Sequence, residues 1–146
     1  MITMTPETII TIRESWSTIV PTAQVAAENF YSNLFDLDPS LRRLFSTTDM
    51  AAQHRLLVEA LTAVVANADD LQTIAPTLSR LGARHAQYGV TPRHYDTVGT
   101  ALLRTLEQGL GSAFRPEVRA AWTVAYAIVA GVMQDGAKDM AAMGAA

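Results

Sequence analysis

The chain has 146 residues, no cysteine, and 14 acidic against 11 basic side chains, for a formal net charge of −3. That length fits one domain over residues 1–146, and a hydrophobic content of 49% is ample for a buried core. The composition excludes disulfides, thiolate metal sites and thioether-linked cofactors, and the mildly acidic balance carries no basic footprint for nucleic acid.

The N-terminus, Met1-Ile2-Thr3-Met4-Thr5, has neither the basic cluster nor the apolar run of an export signal. No apolar stretch approaches the ~20 residues that span a bilayer. A cytoplasmic protein without a membrane partner is expected. Thr5-Pro6-Glu7 combines a capping side chain, a first-turn proline and a first-turn acid. Ile9, Ile12, Trp16 and Ile19 follow at helical spacing, so the first helix is predicted near 5–20. Pro21 marks the start of the next, near 21–36, with Ala27, Tyr31, Leu34 and Phe35 on one face. Asp38-Pro39 and Ser46-Thr47-Thr48 bracket a short element near 39–45. Leu57, Leu61, Val64 and Val65 stripe a helix near 49–67. Pro76 lies among two predicted helices near 71–79 and 80–89, the second closed by Gly89 in a left-handed conformation. Thr91-Pro92 opens a helix near 92–111 carrying Tyr95, Val98, Leu102 and Leu106. Pro116-Glu117 opens the last, near 116–140, carrying Trp122, Tyr126, Val129 and Met133. A small-residue tail from about 141 is expected to fray. Strand alternation is not found. The expected fold class is all-α, seven to eight helices of unequal length packed irregularly around something central.

The chemical candidates are His54, His85 and His94. They share no metal-binding spacing, and no acidic cluster supports a di-iron site. One histidine is nevertheless a complete axial ligand when a macrocycle supplies the other donors. His85 suits that role, since Leu78 and Leu81 lie on its helix face. Its bland alternative is a surface histidine at a helix end, stabilised by the dipole. His54, between Gln53 and Arg55, and His94, in a first turn, have the same solvated alternative.

Four blocks together change the balance. They are Asn29-Phe30-Tyr31-Ser32-Asn33-Leu34-Phe35, Leu41-Arg42-Arg43-Leu44-Phe45, Leu81-Gly82-Ala83-Arg84-His85-Ala86-Gln87-Tyr88-Gly89-Val90, and His94-Tyr95-Asp96-Thr97-Val98-Gly99. In this order and separation the chain resembles single-domain bacterial haemoglobins of the Vitreoscilla type, the haem domain of flavohaemoglobins, and the neuroglobin-like globins of thermoacidophile bacteria. The resemblance implies a globin fold around haem b. It implies His85 as the iron ligand, Phe45 stacked on the haem and Tyr95 on the proximal side; with haem in place, Leu81 on the His85 face and Leu57, Val90, Val98 and Leu102 are the candidates for an apolar wall that excludes water, and Arg84 is either in reach of a propionate or solvated. It implies a distal side made by Tyr31, Gln53 and Leu57. The segment between Phe45 and Gln53 is two residues shorter than in the Vitreoscilla type, so His54 is a second distal candidate beside Gln53. The family type also carries a glutamate on the last helix that joins the proximal tyrosine and histidine. Here the aligned residue is Ala137, with Gln134, Asp135 and Asp139 near it.

The function implied is reversible binding of oxygen, with CO and NO as further ligands, at a five-coordinate or weakly six-coordinate iron, in a monomer or weak homodimer. The missing glutamate weakens the electron push on the iron and favours binding over turnover. The alternative is an NO dioxygenase served by an external reductase, since no flavin or nicotinamide motif is present. A haem-free sensor module is disfavoured by the presence of His85.

Overall fold

The computed structural model describes residues 4–145. The fold is all-α, as expected, and no strand occurs among the described residues. Six α-helices follow in order: α1 (Pro6–Ile19), α2 (Ala23–Leu37), α3 (Met50–Ala66), α4 (Ala75–Gln87), α5 (Pro92–Leu110) and α6 (Pro116–Ala145). Short 3-10 segments join them at Val20–Thr22, Pro39–Phe45, Leu71–Thr73 and Gly111–Ala113.

The punctuation acts largely as read. Thr5 accepts a hydrogen bond from the Thr8 amide (3.2 Å) and caps α1. Thr91 caps α5 in a capping box whose second arm is His94, with the Thr91 amide donating to Nδ1 at 3.0 Å. His94 thereby takes part in the α5 cap, a role that the solvated alternative did not include. Three boundaries differ. The helices predicted at 71–79 and 80–89 are one helix, α4, preceded by a separate 3-10 turn. Pro76 does not divide them, because it occupies the first turn, where its missing amide costs no intrahelical bond. Pro21 sits inside the link between α1 and α2 rather than opening α2. The last helix continues to Ala145 instead of ending near 140, in keeping with its alanine-rich sequence.

The main core joins α1, α2, α3, α5 and α6 around Ile12, Trp16, Ile19, Leu106 and Trp122. The Trp122 indole donates to Ser15 Oγ at 2.8 Å and the Trp16 indole to Thr62 Oγ1 at 3.3 Å, so both large side chains are buried with their polar atoms satisfied. Arg13 finishes α3 from outside. Its guanidinium donates to the carbonyls of Val65 and Ala66 (both 3.1 Å) and to Asp69 Oδ1 (2.9 Å). A cation on the exposed carbonyls of a helix end stabilises it against fraying. Replacing Arg13 by alanine is expected to cost about 1 kcal/mol in urea unfolding.

A second, smaller cluster lies between α4, α5 and α6: Leu78, Tyr95, Ala130 and Met133. Here α4 is drawn against α6 by two glycines. A Cβ on Gly82 would collide with the Met133 backbone, and one on Gly136 with the Ser79 backbone. The contact continues to Gln87 Nε2 and Met140 Sδ, 3.7 Å apart.

Candidate functional site

α3 packs on α1 and α2, whereas α4 packs on α6 and on the turn before it. The helix of Gln53, His54 and Leu57 and the helix of His85 thus belong to different packed pairs. The two apolar clusters divide along the same line, meeting at Ile74, Tyr126 and Val129. Phe45, Leu57, Leu81, His85, Val90 and Val98 are all only half-buried. Phe45, Leu57 and Val98 pack against the larger cluster and Leu81 and Val90 against the smaller, and none of the five is fully covered.

His85 sits in the last turn of α4. Gly89 (φ +96°) ends that helix, and the Val90 amide donates to the His85 carbonyl at 3.0 Å. The imidazole Nδ1 lies 2.8 Å from the Leu81 carbonyl oxygen. A carbonyl only accepts, so Nδ1 carries the proton and Nε2 keeps a free lone pair. Burial pushes the imidazole below its usual range and the nearby Arg84 charge adds to this, while the Leu81 bond opposes it. The ring is therefore held neutral, the form a metal takes. Arg84 is exposed.

On the other side, Tyr31 is buried at the centre of an aromatic group. Phe30 and Phe45 meet it edge-on at 5.0 and 5.5 Å, and Phe35 lies 6.2 Å away. Gln53 Nε2 donates to the Tyr31 hydroxyl at 3.1 Å. The His54 ring stacks on Tyr31 at 5.3 Å and 27°. Gln53 and His54 thus make two different contacts with one tyrosine. Burial raises the Tyr31 phenol, and the Gln53 bond only partly offsets it.

Tyr95, 8% exposed, has a buried hydroxyl with no hydrogen-bond partner among the described residues. Its backbone carbonyl accepts a 2.6 Å bond from the Tyr126 hydroxyl. Ala137 offers no polar atom in its side chain. The sequence analysis placed Tyr126 only in an apolar stripe and gave no packing role to Gly82 or Gly136. A glycine inside a strong helical pattern was the available signal for Gly82. Burial raises the phenols of Tyr31, Tyr95 and Tyr126 alike. An acid whose folded pKa is raised binds more protons folded than unfolded above pH ~10, so stability falls there as pH rises. Urea midpoints are expected to drop progressively above that pH.

A cavity lies elsewhere, between α2 and the 3-10 segment that follows it. About 350 Å³ in volume, it is lined by Ser32, Asn33, Phe35, Asp36, Pro39 and Arg42. It is polar and open, without a histidine, and His85 beside the half-buried Leu81 of its own helix is the better candidate on chemistry. Among the described residues no three His, Cys, Asp or Glu side chains gather as a metal site. No described helix is long and apolar enough to cross a membrane.

An all-α chain with one neutral histidine and a tyrosine–glutamine pair on separate packed units has close counterparts. The globin family matches residues 28–133, and the chain belongs to that family. It is 31% identical over 136 residues to a flavohemoprotein of Bacillus subtilis, covering 92% of this chain and 34% of that protein. It is 30% identical over 134 residues to a flavohemoprotein of Vibrio cholerae, covering 90% and 34%. The chain therefore spans about a third of the length of these curated relatives. In structure it superposes on an engineered carbene transferase from Rhodothermus marinus with a TM-score of 0.89 at 24% identity, covering 99% of this chain and all of that one. A bacterial globin from Campylobacter jejuni follows at 0.82 and 23%, covering 93% and 98%.

Proposed function

We propose that this globin holds haem b through His85 and binds oxygen reversibly beneath Tyr31 and Gln53. The observation that carries the reading is the His85–Leu81 bond, which leaves Nε2 unprotonated on a neutral ring. The half-buried row of Phe45, Leu57, Leu81, Val90 and Val98 fits a flat apolar group, and the likeness to flavohemoproteins supports the same cofactor. When bound, haem would supply an iron that His85 holds and that can take up a diatomic gas.

The chain's own side chains then set the affinity. Tyr31 accepts from Gln53, so its own proton remains to be donated to a gas that acquires negative charge. Raised by burial, the phenol stays protonated at neutral pH. A hydrogen bond of this kind contributes about 1–3 kcal/mol, roughly ten- to a hundredfold in release rate. Tyr31→Phe is expected to speed oxygen release by that factor in a stopped-flow displacement. On the proximal side, the Leu81 carbonyl is a weaker acceptor than a carboxylate, and Ala137 supplies none. That favours holding the gas over breaking it.

The deciding experiment is titration of the purified protein with haemin, followed by visible spectra of ferric, reduced and oxygenated samples. A one-to-one pigment with a stable oxygenated spectrum is the expected result, and a protein that stays colourless would sink the reading. The flavohemoprotein likeness favours one second reading, dioxygenation of NO with electrons from a separate reductase. Sustained NO consumption with an added flavin reductase would establish it.

A further inference from the structure

Two consecutive residues of α3 hold Tyr31 in different ways. Gln53 reaches the phenol oxygen, while the His54 ring lies on the phenol face. The other rings around Tyr31 meet it at 89°, 73° and 39°, edge-on or tilted. His54, at 27°, is the only stacked one among the described residues. Neighbours along a helix point about 100° apart, so α3 straddles the tyrosine, one arm on its oxygen and one on its plane.

We propose that His54 is a positioning residue: it sets the direction of the Tyr31 hydroxyl by stacking, and does not itself touch the bound gas. The inference rests on the reading above, with Tyr31 as gas-side donor. A phenol held only by edges and one hydrogen bond keeps freedom to swing about its side-chain torsions, and a donor's strength falls steeply with misalignment. A flat ring on its face removes that freedom. The nitrogen atoms of His54 are incidental to this role. A direct distal donor would need them.

The test compares His54→Phe, His54→Leu and His54→Ala in protein reconstituted with haemin. Phenylalanine keeps a stacking ring without nitrogen, leucine fills the space without a plane, and alanine removes both. His54→Phe is expected to release oxygen within about twofold of the parent, and the other two to release it about three- to tenfold faster. The stretching band of bound carbon monoxide should stay narrow in the parent and His54→Phe and broaden in the others. Equal acceleration in His54→Phe and His54→Ala overturns the proposal in favour of a nitrogen donor, as does a parent-like rate in His54→Ala or His54→Leu. The cofactor-free protein gives an independent measure. NMR of ring-labelled tyrosine should show Tyr31 shifted by the His54 ring, and the shift should vanish in His54→Ala. If the parent takes up no haemin, the oxygen-binding reading fails, while the tyrosine signal still reports whether the stack exists.

Discussion

Replacing His85 by alanine is expected to abolish tight haem binding while leaving the cofactor-free fold almost unchanged. The His85 ring is only half-buried, and its Nδ1 bond goes to a carbonyl of its own helix. Among the described residues the ring makes no other hydrogen bond. Its removal should shift cofactor-free stability by less than about 1 kcal/mol in urea unfolding. Haem retention should suffer far more. Removing the supporting hydrogen bond of a metal ligand typically costs about 10–100-fold in affinity, and removing the ligand takes away the coordinate bond as well. Transfer of haem to an excess of a competing acceptor should therefore complete in the variant while the parent retains its pigment. Equal retention in both would remove His85 from the axial position.

Gly82→Ala is expected to destabilise the protein by about 1–3 kcal/mol. This is the opposite of the rule for a helix interior, where alanine is favoured over glycine by about 1 kcal/mol. The added methyl would meet the backbone of Met133, which has no rotamer by which to retreat, so α4 and α6 must part. Gly131, in α6, makes the control, because a Cβ there meets nothing within 4 Å. Gly131→Ala should stabilise by about 0.5–1 kcal/mol. Urea midpoints moving in opposite directions would establish the close approach, and two stabilising changes would disprove it. Because His85 sits one turn beyond Gly82, a parted α4 should also weaken haem retention.

The all-α class and the globin family were legible from apolar spacing and four ordered blocks, and the helix starts after Thr5 and Thr91 and the stop before Gly89 from capping and turn chemistry. What sequence could not resolve is local in each case. Pro76 reads as a break whether it lies within a helix or in its first turn, and only the cap position decides. The Gln53–His54 choice depended on how the chain turns from Phe45 into α3, which no periodicity reports. Arg13 on the end of α3 spans 52 residues of sequence, a separation at which one side chain leaves no pattern. The Tyr95 hydroxyl could not be known to lack a partner before its neighbours were placed.

The division of the interior into two clusters has a thermodynamic consequence. Phe45, Leu57 and Val98 on one cluster and Leu81 and Val90 on the other stay half-buried, so for any group that covers them occupancy and folding are linked quantities. The folded population then rises with the supply of the occupant, and a shortage appears first as local opening between α3 and α4. Amide exchange should be fastest around those residues and slowest around Trp122. Abundance of such a protein inside a cell becomes a gauge of cofactor supply, since opened chains are the ones proteases cut.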